Sequence, residues 1–291
     1  MIKDITYMHE HMTIDLSKEK HNIDCKLDLY EETKNELLAL KKLGVTRIVD
    51  VTNIGMGRNI EYVENLEKET GIKIYSSTGY YKEPFLPEEV KELSIEKLAE
   101  KMIEEITVGI ENTNRKATFI GEIGTGFEEV TPLEKKVFIA SAMAQKQTGA
   151  VITTHTSLGK LGHEQLDILE SNGADLKKVI LGHTALSNDL KYIKSLLERG
   201  VYITFDTVGK ISYLPEQTRY EFIKELCDEG WEKRLLLSVD LTRRSHLKVN
   251  GGIGYSYLLE DFVPHLIKMG VAEEKLIQIM VNNPKKILGL S

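Results

Sequence analysis

Short apolar, β-branched runs alternate along this chain with longer charged segments whose apolar residues recur at helical spacing. That alternation is the mark of βα units. Eight strands are predicted, over 5–9, 47–51, 73–77, 118–122, 151–155, 179–183, 202–205 and 235–239. Their central residues are apolar without strict alternation, as parallel strands covered on both faces should be. Helix signals fall between them. Residues 31–43 place Leu37, Leu38, Leu40 and Leu43 at helical spacing and stop at Gly44, a residue suited to closing a helix. Thr131-Pro132-Leu133-Glu134 reads as a capping box with proline at the first helical position, and predicts a helix running to about Thr148, before Gly149. Another helix is predicted over 188–198, ahead of Gly200.

Eight strands with intervening helices favour a closed barrel over an open doubly wound sheet. The open sheet would carry a glycine-rich phosphate fingerprint after its first strand, and none is present. The expected fold is α/β, a single (β/α)8 TIM barrel with its site at the C-terminal face of the strands. The 291 residues suit one such domain.

Composition narrows the partners. A formal net charge of −7 argues against nucleic acid. Cys25 and Cys227 suggest neither a disulfide framework nor a zinc cluster. Residues 1–5 lack the long apolar core of a signal peptide, and no later run is long enough to span a bilayer. The expectation is a cytoplasmic protein acting on a small molecule, with no nucleic acid or membrane partner. Homo-oligomers are common among such enzymes.

The chemistry lies at the strand ends. His9 and His11 are two apart, so on an ideal strand they face the same side. His155 and His183 close the fifth and sixth predicted strands, Glu122 closes the fourth, and Asp240 follows the eighth. An isolated His-x-His is most often a surface or hydrogen-bonded pair. Here six metal-binding side chains converge on one end of the expected barrel. Imidazole and carboxylate suit zinc first, and also manganese, cobalt, nickel or iron. Six ligands exceed one tetrahedral zinc with an open position. They suit two divalent ions sharing a carboxylate and a bridging hydroxide that attacks the substrate.

These motifs resemble the phosphotriesterase family of the amidohydrolase superfamily, its phosphotriesterase homology proteins above all. The resemblance spans nearly the whole chain. It is carried by Met8-His9-Glu10-His11, Gly121-Glu122-Ile123-Gly124-Thr125, Thr153-Thr154-His155-Thr156, Gly182-His183 and the run from Asp240 to Leu247. It implies that His9, His11 and Asp240 hold the more buried metal and His155 and His183 the more exposed one. Glu122 then stands where most of the family has a carboxylated lysine bridging the metals. Being shorter, it requires either that the fourth strand move inward or that the metals sit deeper. The plainer alternative makes Glu122 a hydrogen-bond partner that orients a histidine. The resemblance also implies an acid–histidine proton relay in true phosphotriesterases, but the matching positions here are Leu186 and Thr207. That leaves Asp240 as the proton acceptor.

The function expected is hydrolysis of an ester, lactone or phosphoester, with a sugar lactone or its phosphate fitting best. The alternatives are cleavage of a C–N bond and a metal-loaded barrel that binds without turnover. An anionic substrate group is expected on Arg243 or Arg244, with Lys210 as a further candidate and Tyr80 or Tyr81 beside the scissile bond. His21 and His163 are expected at the surface, His246 as a brace for its loop, and His265 as a structural residue of a late helix. The Gly251–Gly254 stretch is read as a mobile loop or lid.

Overall fold

The computed structural model describes residues 2–290. Eight parallel strands run in sequence order around one sheet: β1 (Ile5–Glu10), β2 (Val45–Asp50), β3 (Lys73–Thr78), β4 (Ala117–Thr125), β5 (Val151–Thr156), β6 (Val179–Gly182), β7 (Tyr202–Phe205) and β8 (Leu235–Leu237). Seven longer helices follow the first seven strands: α1 (Tyr30–Lys42), α2 (Ile60–Thr70), α3 (Ile95–Thr107), α4 (Pro132–Thr148), α5 (Gly162–Ser171), α6 (Leu190–Glu198) and α7 (Glu216–Asp228). After β8 the chain ends in shorter helical segments, among them Val263–Lys268 and Asn283–Leu288. This is a (β/α)8 TIM barrel, as the strand and helix alternation predicts.

Local signals act as the physics requires. Thr131 Oγ1 accepts from the Glu134 amide, and Glu134 returns a carboxylate oxygen to the Thr131 amide, so α4 begins with both donors satisfied. Gly149 takes the left-handed conformation that ends it. Helix α1 buries Leu37 and Leu40, while Leu38 points to solvent.

Two apolar layers result. The larger lies between the sheet and the helices. The smaller gathers Met8, Val49, Phe119, Val151, Ile180, Tyr202 and Leu236, with Tyr75 packed against them, so that every strand contributes. Side chains from all eight strands can meet only inside the barrel, which is therefore a packed plug beneath the mouth.

Among the described residues, backbone ladders join each strand to the next from β1 to β8. Side chains stitch the last seam. The His9 amide donates to Ser238 Oγ at 3.0 Å, and the Glu10 carboxylate accepts from the amides of Val239 and Leu241. Thus Glu10, between the two histidines, clamps the ends of β1 and β8. No described helix is long and apolar enough to cross a membrane.

Candidate metal centre

Strand β4 runs past its expected end, and the reason lies at Glu122. Its register against β5 breaks between Ile120 and Ile123. There the Glu122 amide donates to Val51 O at 3.2 Å, and Asn53 Nδ2 donates to Glu122 O at 2.8 Å. Gly121 permits this turn: its φ is +121°, and a Cβ there would lie 2.1 Å from Thr153 O. The irregularity ties the Glu122 backbone to the end of β2 and the residues that follow it.

The buried Glu122 carboxylate stands among four imidazoles. Oε2 lies 3.2 Å from His155 Nδ1, 3.4 Å from His9 Nε2 and 3.5 Å from His183 Nε2, while Oε1 lies 3.4 Å from His11 Nε2. Asp240 Oδ1 is 3.4 Å from His11 Nε2 and 3.8 Å from His9 Nε2. Two sets of donor atoms each fall within 4.8 Å of one another: His9, His11 and Asp240, and His9, Glu122 and His183. His155 adjoins the second set. His183 and Asp240 both adopt left-handed backbone, at φ of 62° and 59°, so they lie beyond regular strand. Such conformations in residues other than glycine recur at functional sites.

Hydrogen bonds aim the rings. Thr52 Oγ1 donates to Thr13 O, so it accepts from His11 Nδ1 at 2.8 Å and leaves the His11 Nε2 lone pair toward Glu122 and Asp240. His183 Nδ1 meets Asp206 Oδ1 at 2.7 Å, which likewise frees Nε2. Carboxylates and hydroxyls of this kind orient metal-binding histidines and raise their basicity. Asp206 directly follows β7, where Glu122 and Asp240 show that a carboxylate after an apolar run carries information. The same signal could have found it.

The cluster fits a divalent cation. Both ring nitrogens of His9 and Nε2 of His11 are buried without a hydrogen-bond partner. Buried polar atoms are seldom left so. Without a cation the electrostatics are lopsided. Burial opposes charge on Glu122, yet the imidazoles around it hold its carboxyl well below the usual range. Burial lowers His11, but Asp240 and Glu122 outweigh it and raise its pKa to about 9. Burial and the adjacent His183 push His155 down to about 4.

Above the cluster opens a cavity of about 240 Å³, lined by His11, Glu122, His155, His183 and Asp240 together with residues from the surrounding loops. Tyr81 and Lys210 line it, and so do Leu186 and Thr207. The Tyr81 hydroxyl is 3.1 Å from His155 Nδ1, and Lys210 Nζ is 2.5 Å from Asp240 Oδ2.

Three expected substrate residues are not on its wall. Tyr80 is fully buried, because consecutive residues leaving a strand point opposite ways and Tyr81 takes the cavity side. Arg243 pairs with Asp24 at 3.6 Å and Arg244 with Asp28 at 2.5 Å. The loop after β8 folds back onto the Ile23–Cys25 turn, where Ser245 also bonds Asp24, and those acids capture both guanidiniums. His246 accepts from the Thr242 amide within that loop, and His265 stacks on Tyr220. His163 bonds Ser195, away from the cavity. The glycine-rich stretch is tied to the loop after β8, for the Gly254 amide donates to His246 O at 2.8 Å.

The model of the phosphotriesterase family matches residues 3–288. The phosphotriesterase homology protein of Escherichia coli K12 is 44% identical over 281 residues, covering 97% of this chain and 96% of that one. Its crystal structure, with phosphate in the active site, gives a TM-score of 0.96 over 98% and 99% of the two chains. A lactonase from Listeria monocytogenes gives 0.93 at 30% identity, over 99% and 95%. The human N-acetyltaurine hydrolase is 32% identical over 279 residues, covering 90% of this chain and 79% of that one.

Proposed function

The chain belongs to the phosphotriesterase family, and from that premise we propose that it is a binuclear metal-dependent hydrolase of a small anionic ester, lactone or phosphoester. One observation carries the reading: a buried carboxylate surrounded by four imidazoles, with a second carboxylate beside it and ring nitrogens that lack a hydrogen-bond partner.

His9, His11 and Asp240 would hold one ion, and His155 and His183 the other, with Glu122 between them. Two such ions, zinc fitting the donor set best, would acidify water and polarise the carbonyl or phosphoryl oxygen under attack. The protein's own groups do the rest. Asp240 Oδ1 faces the cluster and accepts the proton of the attacking water, while Oδ2 is fixed by Lys210. The Tyr81 hydroxyl, beside His155, flanks the scissile bond. Leu186 and Thr207 on the cavity wall supply no acid–histidine relay, which weighs against organophosphate triesters as the natural substrates.

A second reading is hydrolysis of an amide, favoured by the N-acetyltaurine hydrolases among the relatives at 30–32% identity. Elemental analysis should find two metal equivalents per chain; full activity with one or none would sink the binuclear reading. A panel of lactones, phosphorylated sugar lactones, phosphoesters and N-acyl amino acids on metal-reconstituted protein then separates the two. Acid released without amine or phosphate marks a lactonase, whereas amine release marks the amidase.

A further inference from the structure

Among the described residues, two ammonium groups on one wall of the cavity form no ion pair with a carboxylate. Lys82 follows Tyr81 in the loop after β3, and Lys20 ends a short helical turn, Ser17–Lys20, in the loop after β1. Both line the cavity. Lys82 Nζ lies 5.7 Å from the centre of the Phe85 ring and 5.8 Å from that of Tyr81, and Lys20 Nζ lies 5.7 Å from the Phe85 ring. One aromatic ring thus serves both cations.

Among the described residues neither lysine forms an ion pair, and Lys82 donates only to the backbone oxygen of Glu83, at 3.2 Å. Glu134 acts on Lys82 through its charge, but its two oxygens are taken by the amides of Thr131 and Glu83. Lys20 is exposed and Lys82 half-buried, whereas several buried or half-buried bases are paired: Arg58 with Glu105 at 2.8 Å, Arg115 with Glu67 at 3.3 Å, Lys210 with Asp240 at 2.5 Å. Burial, with Lys20 as a like charge nearby, pulls the Lys82 ammonium below the usual lysine range. An anion bound here would relieve that repulsion and accept charge-assisted hydrogen bonds from both groups.

We propose that Lys82 and Lys20, flanking the Phe85 ring, form the subsite that receives the anionic group of the substrate. A carboxylate, sulfonate or phosphate shares the required chemistry. The position of the scissile bond rests on the hydrolase reading above. Given that reading, Tyr81 sets the order along the wall, because its hydroxyl touches His155 and the next residue is Lys82. The anion therefore sits on the side of the β1 and β3 loops, opposite in role to the arginines expected after β8.

The test compares wild type with Lys82→Met, Lys20→Met and Lys82→Arg, all metal-reconstituted. Selectivity is read as kcat/KM for a lactone bearing a carboxylate, divided by that for the same lactone bearing a methyl group. It should fall about tenfold or more in Lys82→Met, less in Lys20→Met, chiefly through KM, and Lys82→Arg should restore most of it. A loss confined to matched sulfonate or phosphate pairs supports the subsite equally and identifies its anion. Equal losses on both members of every pair, or an unchanged ratio, overturn the proposal. Methanesulfonate, a poor ligand for divalent metals, is titrated calorimetrically into the same proteins, and Lys82→Met should weaken it about fivefold or more. Should wild type hydrolyse no ester, lactone, phosphoester or amide, the hydrolase reading fails and the titration alone decides the subsite: affinity unchanged by Lys82→Met overturns it.

Discussion

Two buried charge clusters in this barrel are built on opposite plans. Arg58, in the loop after β2, presents its two terminal nitrogens to Glu105 of α3 at 2.8 Å each, and also to Ser77 O and Glu111. Guanidinium and carboxylate meet as a closed fork. The mouth cluster gathers two carboxylates and four imidazoles, yet leaves three ring nitrogens with no hydrogen-bond partner. Each cluster lies largely out of water, so burial does not distinguish them. What each leaves open does. The Arg58 fork meets carboxylates with both terminal nitrogens and leaves only Nε without a hydrogen-bond partner, whereas the mouth cluster leaves three imidazole nitrogens so, in a geometry that fits a divalent cation.

The comparison can be broken at either cluster. Asp240→Asn should cut kcat by roughly 10²–10⁴ on the best substrate while much of the metal remains, as measured by steady-state kinetics beside elemental analysis. An unchanged rate would remove Asp240 as proton acceptor. Arg58→Ala should instead destabilise the fold by about 3–5 kcal/mol in urea, because it strands a buried Glu105, while metal content in the folded protein is retained. Loss of metal without loss of stability would reverse the assignment of the two clusters.

Metal itself sharpens the contrast. Stripping the protein with a chelator and restoring zinc to a hundred times its Kd should recover about 2.7 kcal/mol of stability for each site filled. Thermal melts with and without zinc check this, and an unshifted midpoint would mean that the imidazole cluster holds no ion. The smallest effect belongs to a half-buried set at the start of β1. Burial pushes the Asp4 carboxyl up, but hydrogen bonds from Lys285, Thr46 and Arg47 outweigh it and hold its pKa below the ordinary range. A depressed carboxylate stabilises the fold above its unfolded pKa of about 3.9 and loses that contribution as pH falls through the folded value. Asp4→Asn should therefore cost less than about 1 kcal/mol at pH 7, and less still as acid protonates the wild type. A cost independent of pH would show that charge is not its source.

How much of this was legible beforehand varied with the range of the interactions. The strands, the capping box at Thr131 and the stop at Gly149 follow from neighbours a few residues apart; the cap and stop stand where the pattern put them, and each strand overlaps its expected span, with ends that shift by no more than three residues. The donor residues at the strand ends were legible for the same reason, since strand period and chain direction set which end each occupies. Asp206 carried the same signal and was overlooked. The register break of β4 at Glu122 was not legible, because it depends on Val51 and Asn53, which follow another strand.

The sequence by itself determined a parallel α/β barrel and the residue types gathered at its mouth, because alternating apolar runs admit few other arrangements. Only the tertiary structure decided which loop residues face the cavity. Arg244 is drawn away by Asp28, 216 positions distant in the chain, while Lys82 and Lys20 are brought to one phenylalanine from different loops. Loop direction is chosen by such remote partners, and a local pattern carries no record of them.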